Sequence, residues 1–384
     1  MKIIHVIPSI SRESSGPSYS VRKLTEYLID LKCPVMLAAI NWGNNKKINE
    51  PNFYFFKLFP FIKKLGISFE LKSWLFKQGK SSKDLILHNH GMWQMNAVYA
   101  AIVSKQTGAH LISSPRGSLS SWAFNSGSRF KKLFWVLFQE RALKNSKVLH
   151  ATSIGEYEDI RAMGFKQPVA IIPNGIDLHP QLKNIHRKKT VLYLGRIHPV
   201  KGIDILLESW RAVESIYPDW ELKIVGGDYD YHGSNGHEKK LKELVRKLKL
   251  CNVNFSQAIY GADKFSVYKE SSIYVLPSHS ENFGITVVEA LASGTPVITT
   301  KNTPWEELEK YDAGKCVELN KDTLSKAIID LISVGEKSRQ IMGENGKLLV
   351  REKYNWNSIA ENFLELYKWT LGKVSTVPDF VKIN

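Results

Sequence analysis

The chain has 384 residues, 43% of them hydrophobic and 23% charged, a composition that suits a soluble globular protein with two or three cores. No apolar run approaches the roughly 18 residues of a membrane-spanning helix, and Cys33, Cys251 and Cys316 lie too far apart for a disulfide framework or a zinc site. The net charge of +16 is uneven: residues 1–175 hold 24 Lys+Arg against 10 Asp+Glu, while the rest holds 29 against 27, so an anionic partner belongs to the first half.

The opening "MKIIHVIPSI" has one lysine, an apolar run broken by Pro8 and no small-residue cleavage site. It reads as a buried first strand, Lys2–Ile7, and not as a signal peptide. "SISRESSGPSYSVRKL" follows as a loop entering a helix, with Gly16 offering close backbone approach. Further strands are expected near Pro34–Ala39, Leu85–His88, Ala109–Ser113, Val148–Ala151 and Val169–Ile172, with helical stretches such as "FKKLFWVLFQERAL" between them. From Lys57 to Lys83 seven lysines stand against Glu70, interleaved with Phe59, Phe61, Phe69, Trp74 and Phe76; "RFKKLFWVLF" repeats the texture. Basic residues beside aromatics suit an anionic membrane surface, or else the aromatics face the core and the lysines face water. No helix-turn-helix, zinc-finger or RRM signature supports nucleic acid.

"DLILHNHGMWQ" delivers His88 and His90 at a strand's C-terminal end, pointing the same way at i, i+2. A metal pair would lack a third ligand of convincing spacing, and a core role suits His88 better. "ISSPRGSLSSW" places Arg116 at the next strand end, to hold an acceptor phosphate or to brace a nearby acid. "IPNGIDLHPQLKNIHRKK" is the natural linker.

The second half repeats the alternation, with strands near Thr190–Leu194, Glu221–Val225, Val253–Phe255, Ile273–Leu276, Pro296–Thr300 and Lys315–Val317. Strands alternating with helices indicate βαβ units, hence two doubly wound α/β domains whose ligands bind beyond the C-terminal strand ends. "VLYLGRIHPVKGID" sets Arg196 and Lys201 at such an end beside a helix start, a diphosphate site or a solvated loop. "LPSHSENFGITVVEALASG" enters a helix at about Ile285, so the amides of Phe283, Gly284 and Ile285 offer themselves to an anion. Glu281 in that loop and Glu289 in the helix suit vicinal hydroxyls, or are an N-terminal acid and a surface residue. "DYD", Asp228 to Asp230, has the form of a D-x-D metal motif, but so short a pattern recurs by chance.

"ENFGITVVE", "GRIHPVKG", "PNGID" and "LPSHSENFG" together resemble, in order and spacing, the motifs of retaining GT-B glycosyltransferases of family 4, group 1. "SPRG" resembles polysaccharide-assembly members. The resemblance implies a GT-B fold: an acceptor domain 1–175, a nucleotide-sugar domain 176–355, and a helical segment 356–384 packing back on the first domain. It implies that Arg196 and Lys201 grip the donor diphosphate, with Asn282, Phe283, Gly284 and Ile285 beside it. Glu281 would hold the transferred sugar and Glu289 the ribose; Gly16 would approach the donor, although family members often carry Gly-Gly where this chain has Ser15-Gly16. His90 would line the cleft by the sugar, with His88 and Arg116 toward the acceptor. No metal is expected; the donor is expected to be a UDP-sugar. The expected acceptor is a saccharide, free or linked to polyprenyl diphosphate, in cell-surface polysaccharide synthesis on the cytoplasmic face of the plasma membrane. Sucrose-type synthesis on a soluble acceptor and a non-catalytic donor-binding subunit are the rival readings.

Overall fold

The computed structural model describes residues 1–384 except 11–15, 44–49, 126–128, 178–185, 231–232, 235 and 384. In chain order the strands are β1 (Lys2–Ile7), β2 (Val35–Asn41), β3 (Phe53–Lys57), β4 (Leu85–His90), β5 (His110–Ser114), β6 (Val148–Ala151), β7 (Val169–Ile171), β8 (Lys188–Leu194), β9 (Glu221–Val225), β10 (Tyr229–Asp230), β11 (Gly233–Ser234), β12 (Val253–Ser256), β13 (Ser271–Leu276), β14 (Val297–Thr300), β15 (Gly314–Val317) and β16 (Val381–Lys382). They fall into two compact units. One comprises Met1–Gly175 with Trp356–Asn384, the other Ile176–Asn355.

The sheet of the first unit runs β16-β7-β6-β5-β4-β1-β2-β3, parallel except for β16 against β7. Its inner strands are covered by helices on both faces; β1, β4 and β5 are buried almost throughout, the polar ends of β4 and β5 included. The helix Trp356–Thr370 belongs to this unit. Its Trp356, Ile359, Phe363 and Leu366 share one cluster with Ile3, Leu24 and Ile112. The second unit's sheet runs β12-β9-β8-β13-β14-β15, all parallel. Its core joins Leu192, Trp210, Tyr274 and Val288 to Ile328 on the helix Lys321–Ser333.

In each sheet the strand order reverses direction beside the first strand laid down, between β1 and β4 in one and between β8 and β13 in the other. Loops leaving the C-terminal ends of those strands diverge there and leave a crevice, the usual ligand position in open α/β sheets. Arg196 follows β8, "PSHSENFG" follows β13, and His90 ends β4.

Three strands or strand pairs were not expected. β3 leads into the basic aromatic run at Lys57, and its Phe53 and Phe56 turn inward. β16 and the β10–β11 hairpin have two residues per strand, too short for any periodicity to register. Gly16, expected in a loop, is the first residue of the helix Gly16–Asp30. A Cβ there would meet nothing within 4 Å, so the structure gives no steric reason for glycine at that position. Ser15 and the loop before it lie outside the described residues.

Candidate functional site

In the second unit, β8 ends at Leu194 and the turn after it is tied to the end of β9. Gly195 N–H donates to Val225 O at 3.0 Å, and Ile197 N–H to Gly227 O at 2.9 Å. Tyr193 OH, fully buried, donates to the Arg196 carbonyl at 2.6 Å, which leaves the Arg196 side chain exposed. Among the described residues its guanidinium has no ion-pair partner. One turn of 3₁₀ helix, Pro199–Lys201, then leads through Gly202 into the helix Ile203–Ile216.

The loop after β13 is fastened to this segment. His279 N–H donates to Val200 O at 2.8 Å and Ser278 Oγ to the same oxygen at 3.1 Å. The attachment sets Lys201 against Glu281 in an ion pair whose side chains are 13% and 17% exposed. Gly284, at φ 80, turns the chain into the helix Ile285–Ala292, and Trp305 Nε1 fixes the Phe283 carbonyl at 2.6 Å. The first N–H groups of that helix have no intrahelical acceptor and carry the positive end of its dipole.

Glu289 is buried in the same helix. One carboxylate oxygen pairs with Lys264 and the other accepts from Tyr268 OH at 3.1 Å. Tyr274 OH lies 2.7 Å from Thr286 Oγ1 and 3.2 Å from the Leu194 carbonyl, so it joins the helix start to the end of β8. Burial drives the Tyr268 and Tyr274 hydroxyls well above the usual tyrosine range, so both remain donors. Lys264, Tyr193, Tyr268 and Tyr274 are the site residues that sequence reading missed. Tyr193 and Tyr274 stand in apolar strands and read as core, while Tyr268 stands in a short charged helix; only the contacts of their hydroxyls distinguish them.

The arrangement can bind a diphosphate. Arg196, Lys201 and the helix start supply positive potential, each charged hydrogen bond to phosphate contributing roughly 1.5–3 kcal/mol. The Glu281 and Glu289 carboxylates accept from hydroxyls. Asp228 is buried near the end of β9, and the side chain of Asp230 lies outside the described residues.

In the first unit, His88 and His90 do point the same way, their ring centroids 4.0 Å apart. His88 is fully buried, however, and both its nitrogens are bound inside the unit: Nδ1 to Tyr367 OH at 2.8 Å and Nε2 to Ser114 Oγ at 2.8 Å. It is a core residue, not an acceptor-side one. Arg116 is half-buried. Nη1 donates to Asn174 Oδ1 at 2.8 Å and Nη2 lies 3.1 Å from His90 Nδ1, so it braces its neighbours and does not reach out to a phosphate.

His88 is one link in a longer chain of hydrogen bonds. Val21 O, Thr25 Oγ1, His5, Tyr367 OH, His88, Ser114 Oγ, His150 and Ile172 O lie in series. The seven links need seven hydrogens, and the six neutral side chains own six. The least costly bond to forgo is that to Val21 O, which keeps the backbone donor of its own helix.

The basic aromatic run divides. Trp74 and Phe76 pack against the core with Leu71 and Leu75, while Phe61 and Phe69 are exposed beside Phe59. On the helical stretch 129–139, Phe130, Leu133, Val136, Leu137 and Phe138 are exposed; Lys132 is exposed among them, and Lys131 turns back over the Trp93 ring at 4.5 Å. No helix of the described residues is long and apolar enough to cross a membrane.

Two family descriptions match the chain: "Glycosyltransferase Family 4" over residues 14–179 and "Glycosyl transferases group 1" over residues 176–349. An uncharacterized glycosyltransferase of Haemophilus influenzae is 32% identical over 179 residues, 46% of this chain and 48% of that one. The phosphatidyl-myo-inositol mannosyltransferase of Mycobacterium tuberculosis is 30% identical over 219 residues, 54% of this chain and 55% of its own. The matched region thus spans about half the length of these curated relatives. Among solved structures, the sucrose-phosphate synthase from Thermosynechococcus elongatus has a TM-score of 0.75 at 22% identity, covering 97% of this chain and 100% of that one. Anabaena HepE in complex with UDP and glucose has a TM-score of 0.76 at 18% identity, with the same coverage. These likenesses are of fold, and the fold is GT-B-like.

Proposed function

This chain belongs to the group 1 glycosyltransferases of family 4, and from that premise we propose that it moves a sugar from a UDP-sugar to a saccharide or lipid-linked saccharide, with retention and without a metal, in cell-surface polysaccharide synthesis. The observation that carries the reading is the meeting of Lys201, Glu281 and the helix start at Gly284, with Arg196 exposed beside them. A departing diphosphate gathers negative charge, and fixed cations and amides aimed at it stabilise the transition state. Glu281 then holds hydroxyls of the transferred sugar and Glu289 those of the ribose. In the reaction the bond from the anomeric carbon to the diphosphate breaks as the acceptor oxygen bonds on the same face. The acceptor proton passes to the leaving phosphate. The UDP choice is supported by neighbours of the same fold whose structures contain UDP.

A thermal-shift screen of nucleotide sugars identifies the donor, because a ligand that binds only the folded protein stabilises it by mass action. With that donor, nucleotide release should require added acceptor. Stable folded protein that turns over no donor with any lipid-linked or free saccharide would sink the reading.

The first unit accounts for the basic charge, and its exposed Phe61, Phe69, Phe130, Leu133 and Val136 stand near exposed lysines such as Lys63, Lys64 and Lys132. We place this unit at the inner face of the plasma membrane, where each lysine near an anionic surface contributes about 1 kcal/mol. The protein is expected to sediment with anionic but not neutral liposomes. Phe130→Asp/Leu133→Asp should release it, since both side chains are exposed and their loss leaves the core intact. Equal sedimentation of this variant and the parent would exclude the 129–139 stretch.

A further inference from the structure

His90 Nδ1 faces the Arg116 guanidinium at 3.1 Å, and that contact fixes where the ring's hydrogen resides. A guanidinium offers hydrogens and has no acceptor, so Nδ1 must accept. The ring is neutral, because burial, with the nearby histidines and Arg116 adding to it, holds His90 well below the ordinary histidine range. A neutral imidazole has a single N–H, which must then sit on Nε2. We propose that Arg116 is a positioning residue that locks His90 in its Nε2–H tautomer, so that His90 meets a substrate oxygen as a hydrogen-bond donor and not as a base.

The surroundings support a lock. Arg116 lies at φ 57 in the turn after β5, and Asn174 Oδ1 takes its Nη1, so the guanidinium is held at two points. Asn174 belongs to the "PNG" stretch just before the chain leaves this unit, at Gly175. Nε2 of His90 is buried and, among the described residues, bonded to nothing. A buried N–H left unpaired is costly, and a ligand oxygen removes the cost. The adjacent rings cannot do so, since both nitrogens of His5 and of His88 are engaged elsewhere.

The same facts decide against a metal. Ring nitrogens of His5, His88 and His90 lie within 4.8 Å of one another, the spacing of a three-histidine site. Two of those rings are committed to hydrogen bonds, and the guanidinium bonded to the third would repel a cation. An oxygen with a free lone pair, a hydroxyl or a phosphoryl, is the ligand chemistry that fits. The role toward substrate rests on the glycosyltransfer reading; the tautomer does not.

The test is long-range ¹H–¹⁵N NMR on the full chain labelled with ¹⁵N-histidine, His90 being assigned by its loss in His90→Gln. The expected result at pH 7.5 is a protonated Nε2 and a bare Nδ1. Arg116→Met should move hydrogen toward Nδ1, and Arg116→Lys, which still donates to Nδ1, should keep the parent tautomer. If Arg116→Met fails to fold, the parent and Arg116→Lys spectra still decide. An Nδ1–H or doubly protonated ring in the parent overturns the lock, as does an unchanged tautomer in folded Arg116→Met. In the transfer assay His90→Gln, whose amide can donate from the Nε2 position, should exceed His90→Phe by about tenfold or more. Equal loss overturns the donor role. The expected tautomer in a protein that turns over no donor supports the lock and sinks the glycosyltransfer reading alone.

Discussion

Arg196→Ala is expected to lower turnover about 10²–10³-fold, the usual effect of removing one donor from a developing anion, while leaving the melting temperature near that of the parent. The guanidinium is exposed and has no ion-pair partner among the described residues, so its loss leaves no buried charge behind. Gly202→Ala, six residues on, should lower both. Gly202 lies at φ 61, and a Cβ there would stand 2.1 Å from the Pro277 carbonyl oxygen. Backbone cannot yield as a flexible side chain does. The left-handed conformation and the displaced loop together should cost about 3 kcal/mol. That substitution pushes apart the two loops that bring Lys201 to Glu281, so stability and turnover should fall together. Differential scanning calorimetry with a nucleotide-release assay measures both. If Arg196→Ala melts as early as Gly202→Ala does, Arg196 is structural.

Acid should unfold the first unit ahead of the second. His5 and His150 are fully buried, and burial, with Arg116 adding to it, holds each down to about 3. His88 and His90 are lowered for the same leading reason. The unfolded chain takes up these protons from pH 6.5 downward while the native state refuses them. Stability is therefore intact above about 6.5 and is lost as pH falls toward 3. At pH 5 each of His5 and His150 forfeits about 2 kcal/mol, at 1.36 kcal/mol per unit. Together they remove a large part of a typical stability of about 5–15 kcal/mol. A proton could complete the hydrogen-bond chain that is one hydrogen short, but one bond is worth about 1 kcal/mol, against several for an uncompensated buried cation. Hydrogen exchange at pH 7.5 and 5.0 resolves the two units; an equal loss of protection in both would refute the assignment.

Much of the architecture was visible in the sequence because parallel strands covered on both faces must be apolar runs. β1, β6 and β9 have the expected limits. β3 was hidden because Phe53–Phe56 is a run of four aromatics closed by Lys57 and followed by more of the same texture, and this strand at the sheet edge shows no clean alternation. In the candidate site, Glu281 and Lys201 could be found from spacing within their own loops, but their pairing across 80 residues could not. Lys264 gave no signal at all: its helix, Asp263–Glu270, is short and charged, and only the fold turns its ammonium onto Glu289. His88 and Arg116 were placed at the correct strand ends, yet which atoms face them depends on Tyr367 and Asn174, residues that no local pattern connects to them.

The return of residues 356–384 to the first unit also sets an order of events on the ribosome. Residues 176–355 contain everything their own sheet requires and can close as soon as they emerge. The first unit is made earlier but finished later. Until Trp356–Thr370 arrives, Ile3, Leu24 and Ile112 lack their cover, and until Val381 arrives β7 is an open sheet edge. The nascent first unit therefore waits, partly uncovered, through the synthesis of an entire second unit, and a chaperone that shields apolar surface would act on it in that interval.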